Sequence, residues 1–217
     1  MAKIYLSPSD QFDNVYACGG TTEAEQCRKI ANACEAALKR CGFEVKNGQS
    51  GNYVDRTRES NAWDADLHLC IHSNAFNGSV VGTRMFYYNE GGESYKACKA
   101  IYDVLAPFTP GTSDNMQMNQ DLYEMCGTRC ASVYIETDFH DNVSESQWIV
   151  AHTKEIGEVI AKGVCNFYGI TYKSGISGIS SGSTYQVVSG SFKMRENAEK
   201  RVKALKDVGF DSFIQIK

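Results

Sequence analysis

Ten residues, Asp66-Leu67-His68-Leu69-Cys70-Ile71-His72-Ser73-Asn74-Ala75, constrain the fold of this chain most. Seven of them form an unbroken run without glycine or proline that ends at a small-residue turn, which reads as a buried strand. The strand delivers His72 to its C-terminal end, where α/β sheets hold ligands and metals. Because strand side chains alternate, His68, Cys70 and His72 share one face.

The flanking sequence supplies the rest of the layout. Residues 3–7 predict a strand, and a polar, glycine-containing loop leads to Thr21-Thr22-Glu23. A helix follows from about 23 to 41, with Ile30, Ala33, Cys34, Ala37, Leu38 and Cys41 on one face, and Gly42 stops it. Phe43-Glu44-Val45 is a second strand. Arg56 to Trp63 reads as helical, 83–88 as a strand, and 91–105 as a helix halted before Pro107 and Pro110. Ser132 to Glu136 is rich in β-branched and aromatic residues, and 145–168 is a long amphipathic helix. Strands alternating with helices predict an α/β fold: a mainly parallel twisted sheet with helices on both faces.

Composition excludes several function classes. A net charge of -4, without any Lys/Arg run, gives no field for nucleic acid. No window approaches the roughly 18 apolar residues of a membrane span. The opening Met1-Ala2-Lys3-Ile4-Tyr5-Leu6-Ser7-Pro8 runs straight into a strand, so a signal peptide is not expected. Nine cysteines is an odd count. Without a signal peptide they read as reduced thiols packed as small hydrophobes, with Cys27, Cys34 and Cys41 in one buried helical stripe. Cys126 and Cys130 lack a CxxC partner or a nearby histidine that would mark a metal site.

Two carboxylates, Glu23 and Glu136, can converge on His72, a combination that points to a zinc hydrolase. Of the other histidines, His68 is a candidate second ligand or a satisfied core residue, and His152 belongs to surface or packing. His140 differs. In Glu136-Thr137-Asp138-Phe139-His140-Asp141-Asn142, an extended chain turns Glu136, Asp138 and His140 to the same side, facing the cleft. A solvated polar loop is the alternative.

These residues resemble zinc-dependent N-acetylmuramoyl-L-alanine amidases of the Amidase_3 type, over about residues 3–170. Ala65-Asp66-Leu67 with His72-Ser73-Asn74-Ala75 is similar to that family's ADL…IHxNA signature, and Arg58 and Asn61 to the Arg-x-x-Asn before it. The resemblance implies that Glu23 and His72 bind zinc, that Glu136 is catalytic, and that Asn74 binds substrate. The family's first zinc-binding histidine, expected just after the first strand, is missing from Ser7-Pro8-Ser9-Asp10-Gln11. His140 is the preferred third ligand, because imidazole suits zinc better than an amide oxygen; Asp10 or Gln11 is the alternative. Loss of the metal is a further alternative.

Residues 1–172 therefore read as the catalytic domain, 173–184 as a Gly/Ser linker, and 185–217 as a small βαβ unit. In the last of these, Tyr185 to Phe192, Glu196-Asn197-Ala198-Glu199 and Gly209-Phe210 resemble the first half of a SPOR domain, a module that binds peptidoglycan glycan strands. Two chains pairing their halves as a homodimer, or a module cut short, both fit.

The resemblance implies a peptidoglycan hydrolase that cleaves between N-acetylmuramic acid and L-alanine. A phage or prophage endolysin is expected, made in the cytoplasm and reaching the cell wall after holin-dependent release. A metal-free wall-binding protein and a zinc carboxypeptidase of related fold are the alternatives.

Overall fold

The computed structural model describes residues 1–175, 194–207 and 214. The chain divides into two units, Met1–Ser181 and Gly182–Lys217. In the first, the elements run β1 (Lys3–Pro8), α1 (Glu23–Arg40), β2 (Glu44–Asn47), α2 (Tyr53–Ala62), β3 (Leu67–Asn74), β4 (Arg84–Tyr87), α3 (Glu93–Leu105), β5 (Asn115–Met118), α4 (Tyr123–Gly127), β6 (Ala131–Phe139) and α5 (Val143–Tyr168). The second contains α6 (Arg195–Asp207), which falls where the sequence predicts a helix. The two strands expected around it, most of the linker, and the pairing of two such halves lie outside the described residues.

The sheet has six strands in the order β2-β1-β3-β6-β4-β5. β2, β1, β3 and β6 are mutually parallel; β4 runs antiparallel to β6, and β5 parallel to β4. The reversal follows from the connection after β3. No helix intervenes between Asn74 and Arg84, so the chain comes back in the opposite direction. This is the expected α/β architecture, a mostly parallel sheet flanked by helices. Sequence periodicity did not show β5 or α4. The four residues of β5 (Asn115-Met116-Gln117-Met118) are all at least partly exposed on an edge, so they carry no apolar alternation.

Residue alternation separates the two faces of the central strands. Ile4 and Leu6 of β1, Leu67, Leu69 and Ile71 of β3, and Val133 and Ile135 of β6 are fully buried in the main core. The same core takes Cys27, Ile30, Cys34 and Leu38 from α1, Ala97 and Ile101 from α3, and Ile156, Ile160 and Val164 from α5. The opposite faces of these strands carry Tyr5, Ser7, His68, Cys70, His72, Ser132, Tyr134 and Glu136. There the Tyr5 hydroxyl donates to Glu59 of α2 at 2.6 Å. The cysteine stripe of α1 is buried as expected, and all nine thiols are free.

Helices α1 and α5 pack backbone to backbone where Gly157 removes the side chain. A Cβ there would lie 2.5 Å from the Ile30 carbonyl oxygen and 2.7 Å from the Cys34 nitrogen. Gly157→Ala should therefore destabilise the protein by about 1–3 kcal/mol, the cost of overpacking a tight core, measured by urea unfolding of the full chain.

Candidate active site

The site forms at the C-terminal ends of β1, β3 and β6, closed by the first turn of α1. Thr22 caps that helix, with Glu25 returning the capping-box bond. Glu23 is the first helical residue, so its charge sits at the positive end of the helix dipole. After β1 the chain turns through Pro8-Ser9-Asp10-Gln11, and Ser9 N–H donates to the Ile71 carbonyl at 2.9 Å. A fully buried guanidinium holds this turn from below. Arg56 donates to the carbonyls of Pro8, Gly51 (3.0 Å) and Ser50 (3.4 Å), and stands 3.9 Å from Asp10.

Glu23 and His72 meet at the centre. Glu23 Oε1 lies 2.8 Å from His72 Nδ1, and both side chains are buried. Gln11 Nε2 is 3.4 Å from each of these two atoms. Asn14 Nδ2 donates at 2.8 Å both to Glu23 Oε2 and to Gln11 Oε1. Burial by itself would raise the Glu23 carboxyl, but the hydrogen bond and charge of His72, then Asn14 and Ser9, hold it below its usual range. Burial likewise pulls His72 down, and the Glu23 bond with the charges of Glu136 and Glu23 more than offsets it, leaving the imidazole raised.

Glu136 stands directly across from His72 in the β3–β6 register. Its Oε2 is buried without a protein partner. Burial pushes its carboxyl up to about 8; the His72 charge opposes the shift and the Glu23 charge adds to it. Tyr134, two residues earlier, stacks on His72 with ring centroids 4.5 Å apart. Asn74 keeps its side chain local, its Oδ1 accepting from the Ala75 N–H at 2.8 Å.

His140 is placed differently from the expectation. The register slips between His72 and Asn74: His72 pairs with Glu136, but Asn74 pairs with Phe139, so β6 carries one extra residue. Such a bulge ends the simple alternation that would align Glu136, Asp138 and His140. Asp138 Oδ1 instead accepts from the N–H groups of Gly82 and Phe139. His140 Nδ1 lies 2.9 Å from the Ser73 carbonyl and 3.0 Å from the Ser73 hydroxyl, and its ring stacks on Tyr16. Asp10 turns to Arg56. The structure thus brings together Glu23, His72 and Gln11, with Glu136 alongside, and gives His140 to Ser73.

Two further positions were not identified from the sequence. Asn14 links Gln11 to Glu23, and an asparagine in a polar loop carries no periodic signal. The buried arginine is Arg56, whereas Arg58, two residues on, is exposed beside Asp55. Asn61 donates to the Gly127 carbonyl and accepts from Arg129 N–H. Deeper on the same sheet face, His68, Cys70 and Glu124 make a second buried group.

Fold and site together describe a mostly parallel α/β domain with a carboxylate–imidazole centre at the strand ends. The family described as N-acetylmuramoyl-L-alanine amidase, Amidase_3, matches residues 11–166, and the chain belongs to it. The sporulation-specific N-acetylmuramoyl-L-alanine amidase of Bacillus subtilis (strain 168) is 25% identical over 224 residues, covering 100% of this chain and 86% of that protein. The catalytic domain of CwlV, an N-acetylmuramoyl-L-alanine amidase from Bacillus (Paenibacillus) polymyxa var. colistinus, superposes with a TM-score of 0.72 at 16% identity, covering 79% of this chain and 100% of that one. The catalytic domain of an endolysin targeting Clostridia difficile gives 0.65 at 19% identity, over 76% and 98%.

The family is generally zinc-dependent. The groups at this corner suit such an ion: an imidazole nitrogen and a carboxylate held ionised stand 2.8 Å apart, and the Gln11 amide, with Nε2 3.4 Å from both, brings its oxygen there once the amide turns over. Isothermal titration of metal-free protein checks the assignment. Glu23→Ala should lose the binding equivalent at this corner, and Asn14→Ala should weaken it about 10–100-fold, as for a group that orients a ligand. His140→Ala should keep it.

Proposed function

We propose that this peptidoglycan amidase uses zinc held by Glu23, His72 and, with its amide turned over, the oxygen of Gln11, with Glu136 as the proton-transfer group. The observation that carries the reading is Glu136: a buried, partnerless carboxyl oxygen on the strand position facing His72. An unsatisfied buried carboxyl is costly to keep, and its raised proton affinity suits a group that takes a proton and gives it back.

Bound at this corner, zinc would supply Lewis acidity toward both the scissile carbonyl and a water molecule. Glu23 Oε1 and His72 Nδ1 face each other at this corner, and Asn14 holds the carboxylate through its other oxygen. Glu136 removes a proton from the attacking water and delivers it to the departing nitrogen of L-alanine. The lactyl carboxyl of N-acetylmuramic acid and a free L-alanine amine result. A serine nucleophile does not compete, although Ser73 and His140 are 3.0 Å apart. An Nδ1–H donated to the Ser73 carbonyl cannot also accept the Ser73 proton, and that hydroxyl is buried against Tyr16.

The enzyme's setting on this reading is lysis of the wall by a phage or prophage enzyme released from the cytoplasm; an endolysin catalytic domain shares the fold. A second setting, remodelling of the wall during sporulation, is favoured by the Bacillus subtilis relative, which matches along the whole chain. The helix Arg195–Asp207 supports a half SPOR-like wall-binding unit at the C-terminus.

Digestion of purified cell walls tests the activity. Zinc-reconstituted wild type should release new L-alanine amino termini without new reducing ends. Glu136→Gln should lose about 10²–10⁴-fold of the rate with zinc still bound. An unchanged rate in Glu136→Gln would overturn its role. Release of a C-terminal amino acid instead would identify a carboxypeptidase, and no release by wild type a metal-free binding protein.

A further inference from the structure

Beneath the Glu23–His72 pair, on the same face of the sheet, His68 and Cys70 of β3 meet Glu124 of α4. One donor atom from each lies within 4.8 Å of the other two, and among the described residues no other trio of His, Cys, Asp and Glu donors converges in this way. His68 Nε2 is 3.1 Å from Glu124 Oε1, and the Ser7 hydroxyl donates to that same oxygen. His68 and Cys70 are fully buried and Glu124 is 4% exposed.

This group is set apart from the other polar and sulfur groups of the fold. Cys27, Cys34, Cys41, Cys98 and Cys165 are buried with the helices on the apolar side, where they pack as hydrophobes. Cys70 is the thiol of the polar strand face and is aimed at a carboxylate. His68 Nδ1, buried, has no hydrogen-bond partner, so hydrogen bonding alone leaves the ring half satisfied. Its ring is nevertheless held in place, stacked on Tyr5 with centroids 5.2 Å apart. An imidazole, a thiol and a carboxylate brought together away from water are the three donor types that zinc takes at about 2.0–2.3 Å. Donors at those bond lengths are spaced about 3–4 Å apart, so closing from 4.8 Å needs only side-chain adjustment.

We propose that His68, Cys70 and Glu124, with the Ser7 hydroxyl as fourth neighbour, form a second, closed site for a borderline divalent cation such as zinc. Closure leaves no room for a substrate. The ion would clamp the short helix α4 to β3 and would be taken up as the chain folds. The site is separate from the corner holding Glu23, and its existence does not depend on metal binding there.

Cobalt(II) is the probe, because the Glu23 corner contains no sulfur. Metal-free full-length protein refolded with cobalt(II) should show a thiolate-to-cobalt charge-transfer band in the near ultraviolet and bind two ions per chain. Cys70→Ser should lose the band and one ion. Glu23→Ala should keep the band while losing the other ion, so one ion with the band in wild type still supports the second site. Absence of the band in wild type, or its persistence in Cys70→Ser, would overturn the proposal. If Cys70→Ser does not fold by circular dichroism, Glu124→Gln decides: at least tenfold weaker cobalt(II) binding at the sulfur-ligated site supports the proposal, and unchanged binding overturns it.

Discussion

Two-residue alternation along three parallel strands is the constraint on which the other features rest. In β1, β3 and β6 every second residue is an aliphatic side chain turned to α1, α3 and α5. At roughly 1.5–3 kcal/mol for each fully buried large aliphatic side chain, that face supplies most of the driving force for folding. The residues between them are then committed to the other face, and there the chain places hydroxyl, imidazole, thiol and carboxyl groups. A sheet buried on both sides would ordinarily be apolar on both. Here one face carries the folding energy, which leaves the other free to hold polar groups that cost energy to bury.

That division explains why the carboxylates behave so differently. Glu124 is buried yet held below its usual range: burial raises it, but His68 and Ser7 more than compensate. Glu23 is kept ionised in the same manner by His72 and Asn14. Glu136 receives no such donor at Oε2, and its carboxyl rises to about 8. Three carboxyl groups on one polar side thus divide into two fixed anions and one group ready to exchange a proton. What separates them is the supply of hydrogen-bond donors, since all three are buried.

Much of this was legible in the sequence, and the reasons are specific. The β3 run and the α1 stripe carry strong periodicity because each has a face in the core. Glu23 could be placed at the helix start from the threonine cap, and His72 at the strand end from the small residues after it. The third corner is less legible. Gln11 and Asp10 are neighbours in a loop without a repeat, and the long-range contact that draws Asp10 toward Arg56 leaves no mark in the sequence. His140 differs for another reason. A single extra residue in β6 leaves no compositional mark, yet it breaks the alternation that would set Glu136, Asp138 and His140 on one side.

On the proposed zinc assignment, an amide in place of an imidazole at the Gln11 corner changes what the site demands of its surroundings. A histidine ligand brings its own strong donor atom and needs one outer hydrogen bond to orient it. A neutral amide oxygen is a weaker donor for zinc and can turn over, presenting nitrogen instead. In this chain Asn14 binds both Gln11 Oε1 and Glu23 Oε2 with one nitrogen, which turns Gln11 Nε2 toward Glu23 and His72, so an oxygen ligand requires the amide to turn over. The buried Arg56 fixes the backbone on the other side of the turn. Rigid support of this kind would lower the cost of ordering a weak ligand, because the side chain already stands beside the two strong ones. On the proposed assignment, the stiffness of the turn offsets the missing histidine.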